Sequence, residues 1–192
     1  LTEGLGAGAN PKVGEQAAVE SFDDIRKMFE TNTKMVFITA GMGGGTGTGA
    51  APIISKLAKE MDILTVGIVT MPFQFEGKIR EEQAKKGIDK LKNEVDALIV
   101  INNNKLRDIY GNLGFKEGFA KADEVLATAS KGIAEVITHH YTQNIDLKDA
   151  KTVLSNSGNA IMGSSTASGS KRSIEAISSA LDSPLLNDNR IN

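Results

Sequence analysis

The chain has 192 residues, 40% of them hydrophobic, which suits one large domain, or one and a fraction, with a sizeable core. A formal net charge of −2 gives no bulk electrostatic case for nucleic acid, and zero cysteines exclude disulfides and thiolate metal sites and fit a reducing cytoplasm. No apolar run approaches the length of a membrane span, and no signal peptide, repeat or low-complexity tract is visible.

Leu1 to Pro11, Leu-Thr-Glu-Gly-Leu-Gly-Ala-Gly-Ala-Asn-Pro, reads as a loop. Its Gly4, Gly6 and Gly8 serve either an ordinary connection or an anion cradle. Asn10-Pro11 opens a helix, because proline is tolerated in a first turn. Ala17, Ala18, Phe22, Ile25, Met28 and Phe29 form the apolar face of that helix. Met35 to Ala40 has the look of a buried strand. Then comes Gly41 to Gly49, Gly-Met-Gly-Gly-Gly-Thr-Gly-Thr-Gly, six of whose nine residues are glycine. Ile53, Ile54, Leu57, Ala58 and Met61 follow at helical spacing. The glycines therefore lie between a strand and a helix, where open α/β sheets hold their ligands.

One or two glycines suffice for a tight packing turn; six point to a phosphate cradle. Residues without side chains let another molecule approach the backbone. Successive N–H groups form an anion-binding nest, and the next helix adds its free N–H groups and the positive end of its dipole. Thr46 and Thr48 can donate hydroxyl hydrogen bonds. The lysine-bearing P-loop fails, since Ala50 and Ala51 stand where Lys and Ser/Thr belong. The dinucleotide fingerprint is met only loosely, by Gly45, Gly47 and Ala50, and the next strand ends in Thr70-Met71-Pro72 without an acid.

Ile63 to Val69 is a second apolar strand, and strand, helix, strand at this spacing is a parallel unit with a right-handed crossover. Met71 to Gly77 is a loop. Gly77 to Glu94 is a charged helix with Ile79, Ala84, Ile88 and Leu91 inward. At its start, Glu76 and Arg80 read as solvated residues. Ala97 to Ile101 is a third strand, ending in the turn-forming Asn102-Asn103-Asn104. Phe115 to His140 is the longest helix, with Phe115, Phe119, Ala122, Leu126, Ala129, Ile133 and Val136 as a buried stripe. Phe119 and Asp123 are one turn apart, which suits either a core aromatic beside a surface acid or two groups facing one ligand. His139-His140 is a poor chelate, because adjacent helical residues diverge by about 100°. Asp146 and Asp149 read as caps of a helix running to about Asn156. Asn159 to Ser168 reads as a strand and Ser170 to Leu181 as an amphipathic helix with Ile174, Ala176, Ile177, Ala180 and Leu181 as its apolar set, broken at Ser183-Pro184.

The run Gly43 to Gly49 resembles the signature of the tubulin/FtsZ GTPase family, and similarity to its bacterial branch runs through nearly the whole chain. The resemblance implies a parallel, Rossmann-like sheet flanked by helices, truncated at its N-terminus, with a long central helix and the start of a second α+β domain. It implies residues 1–114 as a GTP-binding domain lacking its first strands, 115–141 as the connecting helix, and 142–192 as the catalytic loop and the beginning of the C-terminal domain. The chain would be an internal piece of a longer protein, binding GTP weakly or not at all when isolated.

By the same resemblance Gly43, Gly44, Gly45, Thr46, Gly47, Thr48 and Gly49 would hold phosphates, and Ala7, Gly8, Ala9 and Asn10 would close over the terminal one. Pro72 lies in the ribose loop; Glu76 would accept from a ribose hydroxyl and Arg80 would reach the phosphates or ribose. Asn103 would contact guanine, Phe119 would stack on it, and Asp123 would accept from its ring N–H and amino group. Asn102 and Asn104 replace the proline and aspartate usual in the family, and Leu147 replaces a phenylalanine. Asn144, Asp146 and Asp149 match the catalytic loop. A helix of some twenty residues spans roughly 30 Å, so those acids would serve the phosphate of a head-to-tail neighbour. The implied ligands are GTP or GDP with Mg²⁺, and the implied protein metal ligands are none. The implied partners are further copies of the chain, in filaments of the cytoplasmic midcell division ring, and accessory proteins bound through a tail not included in these residues. Neither nucleic acid nor direct membrane insertion is expected. The competing readings are a non-hydrolysing tubulin-like scaffold and a dinucleotide-dependent oxidoreductase.

Overall fold

A computed structural model describes residues 4–138, 146–160, 163 and 165–181. Two helices come first, α1 (Pro11–Glu20) and α2 (Phe22–Phe29). They are followed by β1 (Met35–Gly41), α3 (Thr46–Glu60), β2 (Leu64–Met71), α4 (Lys78–Glu94) and β3 (Ala97–Asn102). The remaining elements are α5 (Leu106–Tyr110), α6 (Phe115–Thr138), α7 (Leu147–Leu154), β4 (Gly158–Asn159) and α8 (Arg172–Leu181). The four strands make one parallel sheet in the order β1-β2-β3-β4. Met35 stands opposite Leu64, and Val66 opposite Ala97.

Strands covered on both sides read as unbroken apolar runs, and these do. Successive side chains alternate between faces. Ile38, Val69 and Leu98 meet Ala51 of α3 and Ala84 and Leu91 of α4 on one side. Val66, Ile68, Ala97, Ile99 and Ile101 meet Ala129 of α6 on the other, with Val125, Leu126 and Ile133 packed alongside. The parallel α/β architecture expected from the sequence is what the chain adopts.

Three local expectations need correcting. The first helix is broken at Ser21, whose ψ of 10° ends α1 before α2 begins; α2 has no buried residue and Met28 is exposed. Ile79 and Phe115 are not inward but exposed in the first turns of α4 and α6, and Val136 is likewise exposed near the end of α6. Of the strand expected over 159–168, Asn159 lies in β4 and residues 165–168 take no strand pairing. Helix α8 keeps its apolar periodicity, with Ile174, Ile177 and Leu181 exposed. Asn144, His139 and His140 lie outside the described residues.

Candidate functional site

The glycine run lies at the carboxyl edge of the sheet. Beyond β1, the Met42 N–H donates to the Thr70 carbonyl at 3.0 Å, carrying the chain one residue further beside β2. Gly43 then turns with φ +100°. A Cβ there would stand 2.7 Å from the Arg80 carbonyl, so the turn is pressed against the start of α4. The Gly43 N–H donates to Thr48 Oγ1 at 2.8 Å. Thr48 is thus buried and turned inward, fixing the loop, while Thr46 stays exposed. Helix α3 starts with no side-chain cap, which leaves its first N–H groups without a side-chain partner.

Three glycines of the run are spaces filled by the protein's own backbone. A Cβ on Gly45 would meet Ala7 Cβ and the Asn10 nitrogen at 2.7 Å each, and one on Gly47 would meet the Gly41 carbonyl at 2.6 Å. One on Gly49 would overlap the Pro11 carbonyl of α1. Gly44 differs: its φ is not positive and a Cβ there meets nothing within 4 Å. The preceding loop folds onto the run. Ala7 is buried and its carbonyl accepts from the Asn10 N–H at 2.9 Å; Gly8 and Ala9 take φ of 55° and 59°. Asn10 caps α1 by accepting from the Lys12 N–H at 3.0 Å.

Beside this cradle the loops after β2 and β3 are tied together. Pro72 is buried. Glu76 Oε1 accepts from the Phe73 N–H and Oε2 from Arg80 Nη1, both at 2.9 Å, so the carboxylate shapes its own loop and orients the arginine. Asn104 Oδ1 accepts from the Gln74 N–H at 2.8 Å, and its amide reaches Asn102 Oδ1 at 3.1 Å. Phe73, Phe75, Phe115 and Phe119 form one aromatic cluster, with Phe73 and Phe119 edge to face at 5.3 Å. Phe119 is half-buried within it, and Asp123, one turn further along α6, is exposed. A cleft of about 750 Å³ opens here, lined by Phe73, Phe75, Asn103, Asn104, Phe115 and Gly118. Asn103 is 4% exposed, yet its Oδ1 has no hydrogen-bond partner. A buried acceptor left unmet is costly, and it marks where a donor belongs.

The two aspartates stand elsewhere. Asp146 Oδ1 accepts from the Asp149 N–H at 2.9 Å, and Asp149 Oδ2 accepts from the Asp146 N–H at 3.2 Å. This reciprocal capping box starts α7, with both residues exposed. Helix α7 is held at the amino edge of the sheet: Lys151 pairs with Asp62, just before β2, at 2.9 Å. The Asn156 N–H reaches Asp96, just before β3, at 3.3 Å. The hydrogen bond from Lys151 and then its charge hold the Asp62 carboxyl below its ordinary range. Cradle and acids are thus separated by the length of β2, whose eight residues span roughly 25 Å. Sequence reasoning missed Asp96. Its only local signal is a lone acid at the head of an apolar strand, Asp96 before Ala97-Leu98-Ile99. Among the described residues no group of three His, Asp or Glu side chains can hold a metal.

Residues 1–111 match the family model described as Tubulin/FtsZ family, GTPase domain. The chain is 52% identical over 192 residues to the cell division protein FtsZ of Porphyromonas gingivalis, covering 100% of this chain and 42% of that protein. It is 53% identical over 189 residues to the FtsZ of Coxiella burnetii, covering 98% and 49%. It therefore spans about half the length of the curated relatives it matches. The solved structure of an empty FtsZ dimer from M. jannaschii superposes with a TM-score of 0.91 at 48% identity, covering 97% of this chain and 54% of the other.

Proposed function

Because this chain belongs to the tubulin/FtsZ family, whose GTPase domain its first 111 residues match, we propose that it is part of a filament-forming GTPase of bacterial cell division. Residues 1–114 act as the nucleotide-binding domain, α6 within 115–141 as the connector, and 142–192 as the catalytic loop and opening of the next domain. GTP lays its phosphates along Gly43 to Gly49, with the Ala7 to Asn10 loop closing over the terminal one. The fit rests on two features of the carboxyl edge. Gly44 has neither a positive φ nor a neighbour that would require glycine, so close approach by a ligand explains it. Asn103 Oδ1 lacks the donor that a purine would bring.

Guanine is held by Asn103 and stacks against Phe119, while Asp123 accepts from its ring N–H and amino group. Adenine offers neither donor there, and a site built on such bonds rejects the analogue that lacks them. Arg80, held by Glu76, faces the phosphates or ribose, and Glu76 retains lone pairs for a ribose hydroxyl. Mg²⁺ would enter with the nucleotide, since no three acidic or histidine side chains converge among the described residues, and it would supply positive charge that offsets the phosphates.

Hydrolysis needs a water aligned behind the γ-phosphorus. As its oxygen bonds to phosphorus, the bond to the β–γ bridging oxygen breaks and a proton passes to a carboxylate. Asp146 and Asp149, with Asn144, supply that function to the next subunit. One observation carries this: cradle and acids stand at opposite edges of one sheet, so a single chain cannot bring them to one phosphate. A head-to-tail contact can, and it continues into a filament. In the cell that filament is the cytoplasmic midcell ring, with accessory proteins bound elsewhere on the full-length protein.

GTP turnover per subunit should rise steeply with protein concentration, and Asp149→Ala should abolish it while GTP binding and filaments persist. Loss of GTP binding in that variant would contradict action in trans. The capping box favours a second reading, a scaffold that binds nucleotide without hydrolysing it, because each acid already has a structural task. Turnover that stays at background at all concentrations would select the scaffold.

A further inference from the structure

Asp96 is the only charged residue in the buried core among the described residues, and the reading above gives it no role. We propose that Asp96 is a positioning residue for the acids that act in trans, setting where α7 stands relative to the strands that carry the cradle. The inference rests on that reading.

The residue is 7% exposed and both carboxylate oxygens accept from backbone N–H groups. Oδ2 takes the Thr65 N–H of β2 at 2.9 Å, and Oδ1 takes the Asn156 N–H at 3.3 Å. The backbone of Asp96 repeats the pairing: its N–H donates to the Thr65 carbonyl at 2.9 Å, and its carbonyl accepts from the Gly158 N–H at 3.0 Å. Burying a carboxylate is costly, and these donors offset that cost. Closing the β2–β3 ladder does not require a side chain there, since backbone groups already pair Asp96 with Thr65. What the carboxylate adds is a further tie to the segment after α7, at the Asn156 N–H, two residues nearer the helix than the Gly158 N–H that its backbone carbonyl holds.

That connection falls two residues beyond the end of α7, where Asn156 takes φ +54°. Helix α7 is a single rod of eight residues, about 12 Å long, with Asp146 and Asp149 at its head. Its middle is held by Lys151 on Asp62 and by buried Ala150, and Leu154 packs under the sheet. Fixing the tail of a rigid rod fixes the angle of its head. A transition-state group displaced by about 1 Å can cost on the order of a hundredfold in rate, so the clamp matters to chemistry while touching no substrate.

The test uses the full-length protein and four variants. Asp96→Asn keeps one acceptor and cannot serve both N–H groups. GTP affinity should stay within about twofold and filaments should still sediment, while turnover falls about tenfold or more. Turnover should return when Asp96→Asn subunits are co-assembled with Gly44→Val subunits, which keep intact acids but cannot hold nucleotide. General destabilisation would not be relieved in that way. Normal turnover in Asp96→Asn, a matching loss of GTP affinity, or no recovery in the mixture would each overturn the proposal. Should Asp96→Asn not fold, Lys151→Met decides: it loosens the same rod from an exposed position. A two- to threefold fall in turnover at unchanged GTP affinity supports the clamp, and unchanged turnover refutes it. Asp149→Ala separates the two readings. If it hydrolyses normally, action in trans itself fails; if it is dead while Asp96→Asn is normal, only the clamp fails.

Discussion

Gly4, Gly6 and Gly8 all take positive φ, and a Cβ on any of them would meet nothing within 4 Å. Gly45, Gly47 and Gly49 take ordinary φ, and a Cβ on any of them would strike backbone or a neighbouring methyl. The first segment uses glycine for its shape, the second for proximity. Within these two loops Gly43 alone combines both, while Gly41 and Gly44 need neither. Composition alone makes the two loops look alike; the reason for each glycine comes from what stands next to it. The comparison makes Gly44, where a Cβ would meet nothing within 4 Å at an ordinary φ, the position at which the proposed ligand contact is best tested.

The sharpest way to break this contrast is Gly49→Ala. The added methyl would overlap the Pro11 carbonyl and crowd the Glu15 nitrogen, neither of which can move without lifting α1 off α3. A loss of about 3 kcal/mol or more is expected in urea denaturation, and nucleotide binding should go with it. Gly44→Ala should separate the two properties. Folding stability should stay within about 1 kcal/mol of the parent, or rise slightly, because the new methyl meets open space and the unfolded chain loses freedom. GTP affinity should fall about tenfold, read by titration with a fluorescent analogue. Equal GTP affinity in this variant would show that the open side of the loop is not the phosphate side.

Gly8→Ala probes the other loop. Its φ of 55° costs a non-glycine residue about 1 kcal/mol with no clash, so a small drop in melting temperature is expected. The smallest effect lies outside both loops and serves as their baseline. The Asp62 carboxyl titrates below its ordinary 3.8 in the folded chain because Lys151 bonds it. Its contribution is present above that value and is lost as pH falls through the depressed folded value. Asp62→Asn should therefore flatten only the acid end of the stability profile, below about pH 4, measured by urea midpoints.

The sheet was legible because each strand, covered on both faces, is an unbroken apolar run between clear turn signals. The cradle was legible because six glycines in nine residues have few structural uses. Periodicity told which side of α4 and α6 is apolar, but not that Ile79 and Phe115, in the first turns, stay exposed. Nor did the continuous pattern across Ser21 reveal that two helices meet there. Asp96 was illegible for a different reason. Its partners are 31 and 60 residues away, and no local window contains them.

Strand β2 is buried from Leu64 to Thr70 and paired on both sides. One end, at Thr70, holds the residue that enters the glycine run; the other, at Thr65, holds the buried aspartate. It therefore works as a gauge bar with a jaw at each end. Lengthening it by two residues would move the jaws apart by roughly 6.6 Å while keeping every side chain on its own face. In a polymer joined through those ends, the axial repeat would be written in a strand buried inside its own subunit.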